Sequence, residues 1–333
     1  MTVSYHEDEA QFTVGSPKLH NQRLTIQHWQ LRDLLACPDK ENEIYLVNQF
    51  SVNRYNTITK LSTPVLKYLT YAPTSMTINY GYLAVGGQRA QLTVRHLESN
   101  WSVYTTVGGS INNSLTIFDH NNNKRLLVSN NDETIKVFSL PDFRKVDTIE
   151  FPTPVNYASV SPDGTKMVAV GDSNQVFLYG IQNDTFQLMA INTATADSGF
   201  SCSWNQSSDK YAVASQDGYV SVWDIRHSEK IAKFATEQQA ATRRAARCVK
   251  FSPSGSIDLM VYSEHVSYIN VVDARTFNTR QVIRAAPSGH DQNISGVAFS
   301  PSAKSIFVGL ESNVLEYKVD TTTRRCFGAG TII

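Results

Sequence analysis

The chain has 333 residues and balances 30 Lys and Arg side chains against 30 Asp and Glu side chains. A neutral balance argues against a dedicated nucleic-acid surface, because such surfaces carry excess positive charge. No apolar run approaches the roughly 18 residues of a membrane-spanning helix, and residues 1–12 lack the basic and apolar regions of a secretory signal. We therefore expect an intracellular protein of the cytoplasm or nucleus, without nucleic-acid or membrane partners.

The N-terminal segment, residues 1–23, is polar and is expected to be a partly disordered extension. The next six residues, LTIQHW at 24–29, alternate in polarity as a β-strand does. A strand at this point can pair with the end of the chain and close a ring of repeats. We therefore expect residues 24–29 to form the outer strand of the last repeat.

Residues 24–327 are predicted to form one domain of seven similar repeats. Seven strand-like segments carry equivalent residues at Tyr55, His96, Phe138, Tyr179, Trp223, Val272 and Tyr317. Their spacing of 41, 42, 41, 44, 49 and 45 residues is the length of one propeller blade. Each repeat also has two strand-like runs before this segment and enough residues for a fourth strand after it. The sequence thus predicts an all-β, seven-bladed β-propeller with four antiparallel strands per blade.

The repeats resemble those of the WD-repeat family from about residue 31 to residue 327. The dipeptide Trp223-Asp224, after the turn Gln216-Asp217-Gly218, is the clearest copy of the family signature, and Val272-Asp273 is a weaker one. A narrower resemblance covers the last three repeats, from SGFSCSWNQSSDKYAVASQDGYVSVWDIR onward, and HNQRLTIQHWQLRDLL near the N-terminus. These segments are similar to a fungal and plant WD-repeat family that includes a substrate receptor of the GID ubiquitin ligase. That resemblance implies a protein that reads the N-termini of other proteins.

Motifs for catalysis and cofactor binding are missing from the sequence. It has no GxSxG, HExxH or GxxxxGK[ST] segment, and no CxxC or CxxH spacing for zinc. We therefore expect a protein that is not an enzyme and that needs no cofactor or metal.

Acidic residues recur in the turns between the second and third strands, which open on one face of a WD-type propeller. Five repeats contribute them, at Asp132, Asp172, Asp217, Glu264 and Glu311. Such a rim of carboxylates would favour a cationic group such as a peptide α-amino terminus. The alternative is structural, because an Asp in this turn commonly bonds within its own blade, and we assign Asp217 to that role.

The longest link between repeats, residues 236–248, places three arginines on the same face: Arg243, Arg244 and Arg247. We expect Arg247 to contribute to peptide binding by holding an anionic or carbonyl-rich segment. The alternative is a solvated helical turn, because AATRRAAR has high helix propensity.

A second candidate surface lies on the opposite face. Asp224-Ile225-Arg226 and Asp273-Ala274-Arg275 repeat an Asp-x-Arg box in adjacent blades. In WD-repeat receptors of cullin-RING ligases, such paired boxes mark the side that docks on the ligase adaptor. The alternative is that Arg226 and Arg275 each cap a strand end through the local aspartate.

Residues 328–333 are predicted to form a C-terminal tail. The resemblance to GID receptors implies that Phe327, Ile332 and Ile333 hook into a groove on a helical-repeat subunit of the ligase. The alternative is that residues 324–327 supply the outer strand of the last blade themselves.

Taken together, these patterns favour a non-enzymatic propeller that recognises a protein or peptide and acts as the substrate receptor of a ubiquitin ligase. The GID-like function, reading a protein N-terminus, is our first hypothesis. The alternatives are a general WD-repeat scaffold for multiprotein complexes and a cullin-RING receptor that docks through its Asp-x-Arg boxes.

Overall fold

The computed structural model of the protein describes residues 8–194, 196–227, 229–239, 242–253 and 256–322. Its strands are numbered in sequence order, beginning with β1 (Asp8–Glu9) and β2 (Thr13–His20). Blades 1 to 3 contain β3 (Leu35–Ala36), β4 (Glu43–Asn48), β5 (Ser51–Asn56), β6 (Ser62–Leu66), β7 (Ser75–Asn79), β8 (Tyr82–Gly86), β9 (Gln91–His96), β10 (Ser102–Thr106), β11 (Asn112–His120), β12 (Asn123–Asn130), β13 (Thr134–Leu140) and β14 (Lys145–Glu150). Blades 4 and 5 contain β15 (Val155–Val160), β16 (Lys166–Gly171), β17 (Gln175–Gln182), β18 (Thr185–Thr193), β19 (Gly199–Trp204), β20 (Lys210–Ser215), β21 (Tyr219–Asp224) and β22 (Lys230–Ala235). A short hairpin and blades 6 and 7 follow as β23 (Gln238–Gln239), β24 (Thr242–Arg243), β25 (Ala246–Phe251), β26 (Leu259–Glu264), β27 (Tyr268–Asp273), β28 (Thr279–Arg284), β29 (Ile294–Phe299), β30 (Ser305–Leu310) and β31 (Val314–Val319).

The predicted architecture is confirmed. Seven sheets each contain four antiparallel strands, and β1 adds a fifth, parallel strand to blade 6. The first strand of each blade contacts the first strands of its neighbours, and β29 contacts β3, so the blades form a closed ring around a central channel. The segments aligned in the sequence are the third strands of their blades.

The strand that closes the ring differs from the predicted one. β2 pairs with β31 as the outer strand of blade 7, so the propeller begins within the segment expected to be an extension. The pairing is interrupted between Val14 and Lys18, where Gly15 has a φ of +67°, and this irregularity hides the strand pattern in the sequence. Residues 324–327 lie outside the described residues, and β2 fills the position considered for them.

Residues 24–29, predicted as that closing strand, instead belong to a loop. Their alternation reflects packing, because Leu24 is buried in a core that contains Leu35 and Phe307, and Ile26 packs on the core that contains Leu34 and Val47. The alternating pattern is thus correct for burial and wrong for strand pairing.

Hydrophobic cores lie between adjacent blades. One joins Val170 of blade 4 to Tyr211 and Trp223 of blade 5, and the Trp223 ring stacks on Tyr211 with centroids 5.3 Å apart. Since each blade packs on its neighbours, the turns at both ends of the sheets are held on a rigid frame. Within the described residues no helix is long and apolar enough to cross a membrane.

Candidate functional site

The upper face is the end of the propeller that carries the turns between second and third strands and the links between blades. A loop of residues 21–34, here called the plug loop, crosses this face from β2 to β3. Its backbone bonds to blade 1 through Thr25 and Val47 (3.2 Å), to blade 2 through Gln27 and Gln88 (2.6 Å), and to blade 7 through Leu34 and Ser295 (3.1 Å). The plug loop is therefore fixed across the mouth of the channel.

Below the plug loop, Asp33 reaches into the channel. Its Oδ2 accepts hydrogen bonds from the hydroxyl of Tyr157 at 2.5 Å and from Nζ of Lys250 at 2.7 Å. Burial lowers the pKa of a lysine, yet the carboxylate of Asp33 raises the pKa of Lys250 well above its usual value. This cluster also lines a cavity of about 520 Å³ that opens towards the other end of the propeller, here called the lower face.

A ring of β-bulges shapes the upper end of the channel. In five blades the pairing between first and second strands skips one residue of the first strand: Asn113, Asn156, Phe200, Arg247 and Ser295. A bulge turns a side chain out of the regular alternation. As a result, the side-chain amide of Asn113 donates to the carbonyl oxygen of Val155 in the next blade, and that of Asn156 donates to the carbonyl oxygen of Gly199 in the next. Arg247 is brought to the same level of the channel, beside Phe200 and Asn156.

Two buried arginines meet at this level. Arg32, from the plug loop, is 6% exposed, and Arg247 is 4% exposed. Nη2 of Arg32 and Nε of Arg247 lie 3.4 and 3.3 Å from the same atom, Nδ1 of His265. Arg32 also donates to the carbonyl oxygens of three residues of its own loop, His28, Trp29 and Leu31.

Part of each guanidinium lacks a partner. Nε of Arg32 and Nη1 of Arg247 are buried and form no hydrogen bond within the described residues. Two aromatic rings also lie close to Arg247: its Cζ lies 4.3 Å from the ring centre of Phe200 and 5.8 Å from that of Trp29. Neither arginine forms an ion pair with a carboxylate in the part of the protein that the structure describes.

The electrostatics of this centre are positive. Burial lowers the pKa of Arg32 to about 10, and burial together with the charge of Arg32 lowers the pKa of Arg247 to about 9. Both remain charged at neutral pH. Burial and the neighbouring arginines also lower the pKa of His265 to about 4, so its ring is neutral and Nδ1 acts as the acceptor.

Two of the predicted acids lie close to this centre. The exposed Asp172 accepts a hydrogen bond from the bulge residue Asn156 at 2.9 Å. The exposed Glu311 accepts one from Asn293 at 3.2 Å and is the carboxylate that acts on the pKa of Arg32. Asp172, Glu311 and Arg247 are thus the sequence-predicted residues that the fold brings to the channel mouth.

The other predicted acids bind groups within the protein, and each of them accepts a backbone N–H from a link between blades. Asp132 binds Lys136 at 2.8 Å and the amide of Gly109 at 2.9 Å, while Asp217 accepts from the amide of Ala196 at 3.0 Å. Glu264, predicted to face a ligand, has a fully buried side chain that holds the amide of Glu237 at 3.1 Å. Glu264 therefore supports the link between blades 5 and 6 in this structure.

The link between blades 5 and 6, residues 236–248, is not the helical turn that was considered as the alternative. β23 and β24 pair as a two-stranded hairpin, not as a helical turn. Arg244 lies against the ring of Tyr268 and pairs with Asp291 at 3.2 Å, and the side chain of Arg243 lies outside the described part of the protein. Of the two link arginines whose side chains the structure describes, Arg244 and Arg247, it is Arg247 that lies in the channel.

On the lower face, each Asp-x-Arg box forms an internal ion pair. Arg226 contacts both oxygens of Asp224, at 2.8 and 2.6 Å, and Arg275 contacts both oxygens of Asp273, at 3.1 and 2.7 Å. The Arg226 guanidinium holds the pKa of Asp224 well below its usual range. The local capping arrangement is therefore formed in both boxes. Phe327, Ile332 and Ile333 of the predicted tail lie outside the described residues.

The sequence does not single out Arg32, Trp29, Phe200 or His265. Trp29 ends the alternating segment at residues 24–29 and Arg32 follows it, and nothing in that pattern assigns either side chain to a binding site. Phe200 and Arg247 occupy the same position when the first strands of blades 5 and 6 are aligned in the sequence. That shared position could have identified both as residues of the channel. Among the described residues no group of three His, Cys, Asp or Glu side chains is placed to hold a metal ion.

Comparisons with known proteins agree with this architecture. The solved structure described as "Structure of U3-55K" superposes with a TM-score of 0.69 over 92% of this protein and 100% of its own length, at 13% identity, which shows the fold. Actin-interacting protein 1 of Drosophila melanogaster is 24% identical over 203 residues, covering 57% of this protein. Neither of these two matches is to a protein described as an enzyme.

Two yeast proteins are also similar to this one. "Uncharacterized protein YLR149C" of Saccharomyces cerevisiae is 26% identical over 234 residues, and that match, like the one to the Drosophila protein, spans 30% of the relative's length. An uncharacterised domain family, DUF2415, matches residues 244–284, the stretch that contains Arg247 and His265. "Uncharacterized protein C4G3.03" of Schizosaccharomyces pombe is 32% identical over 325 residues, which cover 94% of this protein and 93% of that one. The chain therefore belongs to the same family as this fission-yeast protein.

Proposed function

We propose that the protein is a peptide receptor that holds its ligand at the upper mouth of the channel and serves as a substrate receptor of a ubiquitin ligase. The observation that carries the proposal is the pair of buried guanidiniums, whose Nε of Arg32 and Nη1 of Arg247 lack acceptors. A bound peptide can supply acceptors to such donors, because its backbone carbonyls are unpaired in an extended strand.

The same mouth offers carboxylates for a free N-terminus. Asp172 is exposed and bonds to Asn156, which lines the same recess as both arginines, and the exposed Glu311 acts on the pKa of Arg32. A peptide can therefore place its α-amino group on the acids and its polar groups on the guanidiniums. An α-amino group has a pKa near 8 and is mostly charged at neutral pH, whereas an acetylated terminus carries no charge. Selection for a free N-terminus follows from this difference.

The ligase part of the proposal is supported by the resemblance of blades 5 to 7 and the N-terminal segment to the family that includes a GID receptor. The upper face would then hold the substrate, while the tail or the lower face contacts the ligase. Separate surfaces for substrate and ligase are what a receptor needs.

Peptide binding provides the first test. The full-length protein is screened against peptides with free N-termini, and the best binder is titrated again in its acetylated form. We expect acetylation to weaken binding at least about tenfold, the loss of one charge-assisted contact. Asp172→Asn and Glu311→Gln are expected to reduce the difference, while Glu150→Gln, an exposed acid on an outer strand, leaves it unchanged. Equal affinity of free and acetylated peptides contradicts N-terminal recognition.

A scaffold role is the second candidate function. Exposed apolar side chains on the outer strand β18 favour it: Leu188 (46% exposed), Met189 (59%) and Ile191 (49%). Affinity purification with mass spectrometry separates the two. Recovery of ligase subunits supports the receptor, and a stable complex without them supports the scaffold.

A further inference from the structure

We propose that Arg32 and Arg247 form a subsite for a carboxylate group of the bound peptide. The proposal rests on the proposed function for the nature of the ligand, a peptide, and adds the chemical group that the channel mouth selects. The carboxylate comes either from an Asp or Glu side chain of the peptide or from its C-terminus.

The first argument is the unfavourable free energy of burying two guanidiniums without a counter-charge. Burying an ionised side chain without a counter-charge is unfavourable, and two cations in contact with one imidazole nitrogen repel each other. Arg32 and Arg247 are at least nine-tenths buried, and the neighbours of the Arg247 guanidinium include the neutral ring of His265 and two aromatic rings. An apolar residue at position 247 would fit these surroundings better, so the arginine is suited to binding an anionic group.

The second argument is the arrangement of donors. The unpartnered Nε of Arg32 and Nη1 of Arg247 belong to guanidiniums that both contact His265 Nδ1. Planar guanidinium forks match the two oxygens of a carboxylate and bind them more strongly than neutral acceptors. His265 accepts from both arginines through the same nitrogen, which holds the two guanidiniums beside each other and leaves one free N–H donor on each.

The third argument is the position of the subsite. Arg32 belongs to the plug loop and Arg247 to the bulge of β25, so two separate elements each supply one cation. Trp29, which is 63% exposed, lies at the edge of the same site and offers a ring face to the ligand. The charged groups around the centre are then complementary to a peptide that carries both an amine, for Asp172 and Glu311, and a carboxylate.

Glu311 is the carboxylate that acts on the pKa of Arg32, so it can compete with a ligand for the subsite. It acts on Arg32 electrostatically, yet its side chain is exposed and bonded to Asn293. If Glu311 folded onto the arginines in solution, Glu311→Gln would strengthen carboxylate binding. The variant therefore belongs in the test as a second readout.

The experiment uses the full-length protein and an array of heptapeptides with free N-termini and amidated C-termini. Asp or Glu is placed at each of positions 2 to 6 and compared with Asn or Gln at the same position. A second arm uses peptides without acidic side chains, with free or amidated C-termini. We expect one arm to show a preference for the charged group of about tenfold or more, which corresponds to about 1.4 kcal/mol.

Arg247→Met is the diagnostic variant, because Arg32 also holds the plug loop. We expect it to lose the carboxylate preference and to keep a melting temperature no lower than the wild type, since an unpaired buried cation is removed. Arg247→Lys should retain part of the preference, because a lysine keeps the charge without the fork. Arg89→Met, an exposed arginine in a turn of the same face, is the matched control and should behave as the wild type.

The outcomes separate the two proposals. Equal binding of charged and neutral peptides, or a preference that survives in Arg247→Met, overturns the subsite. If no peptide binds, the proposed function fails, and sodium acetate at constant ionic strength becomes the probe. Acetate should then raise the melting temperature of the wild type more than that of Arg247→Met, and equal shifts would overturn the subsite as well.

Discussion

Nε2 of His20 lies 3.0 Å from Oε2 of Glu316, and both side chains are buried. This contact joins β2, near the start of the sequence, to β31, in the last blade. Ordinary blades receive their outer strand from the next stretch of sequence, whereas blade 7 receives it from a strand about 300 residues away. The pair therefore lies at the seam where the ring is closed.

His20→Ala tests the strength of the seam. The change leaves the buried carboxylate of Glu316 with Lys318 as its remaining charged partner. Losing a buried hydrogen bond to a charged group costs about 1.5 to 3 kcal/mol, so we expect the free energy of unfolding to fall by that amount. Urea unfolding measures the change, with the exposed His227→Ala as the control. An unchanged midpoint would mean that the pair contributes nothing to closure.

The lowered pKa of Glu316 predicts that the stability of the protein depends on pH. Burial alone would raise its pKa, but hydrogen bonds from His20 and Lys318 lower it to about 2. A glutamate in the unfolded state titrates near pH 4.3, so the stability due to Glu316 is fully present above that pH and is lost as the pH falls towards about 2. We expect Glu316→Gln to be less stable at pH 7 and to lose less stability between pH 4.5 and pH 2.5. Parallel stability curves for the two proteins would rule out this role.

Asp33 provides a second structural test, inside the channel. Asp33→Asn removes the negative charge next to Lys250, while asparagine still tolerates the backbone φ of 78° at this position. We expect a loss of about 1.5 to 3 kcal/mol, because the ammonium keeps weaker, neutral partners. Chemical denaturation of this variant and of the exposed control Asp39→Asn provides the measurement. Equal stability of both variants would show that the ion pair does not anchor the plug loop.

The sequence is sufficient for the architecture because a propeller is specified by a repeated length. The spacing of Tyr55 to Tyr317 identifies the third strand of every blade and hence the number of blades. The closing strand escapes the sequence pattern because its pairing is broken around Gly15, whereas the better alternation at Leu24 and Ile26 comes from burial between blades. Alternation records which side chains are buried and does not identify the pairing partner.

The candidate site is predictable only in part. Asp172, Glu311 and Arg247 follow from the place of turns and links in a repeat, and they reach the channel mouth. Arg32 comes from a loop outside the repeats, so its meeting with Arg247 depends on the path of that loop. Glu264 was predicted to bind peptide and does not face the channel mouth. Its position beside a turn suggests an exposed side chain, but the side chain is buried beneath the link between blades 5 and 6.

The paired Asp-x-Arg boxes yield a prediction about the lower face. The Arg226 side chain is 68% exposed and that of Arg275 34%, so water screens their ion pairs and the pairs contribute little to stability. If the boxes dock on a cullin-type adaptor, the double variant Arg226→Ala with Arg275→Ala should lose that adaptor in affinity purification and keep its fold. Arg144→Ala, another exposed arginine beside an aspartate, is the control. Retention of the adaptor by the double variant would leave the boxes with their local capping role.

The C-terminal tail separates the two kinds of ligase. On the GID-like hypothesis, Phe327, Ile332 and Ile333 attach the receptor to its ligase core, and substrate binds at Arg32 and Arg247 on the upper face. Deleting residues 327–333 should therefore remove ligase subunits from the purified complex and leave peptide affinity unchanged, because on this hypothesis substrate and ligase bind separate surfaces. The double variant Arg226→Ala with Arg275→Ala should still recover the subunits of a GID-like ligase, because on this hypothesis the Asp-x-Arg boxes do not bind them. If the deletion keeps the ligase and the double variant loses it, docking through the lower face replaces docking through the tail.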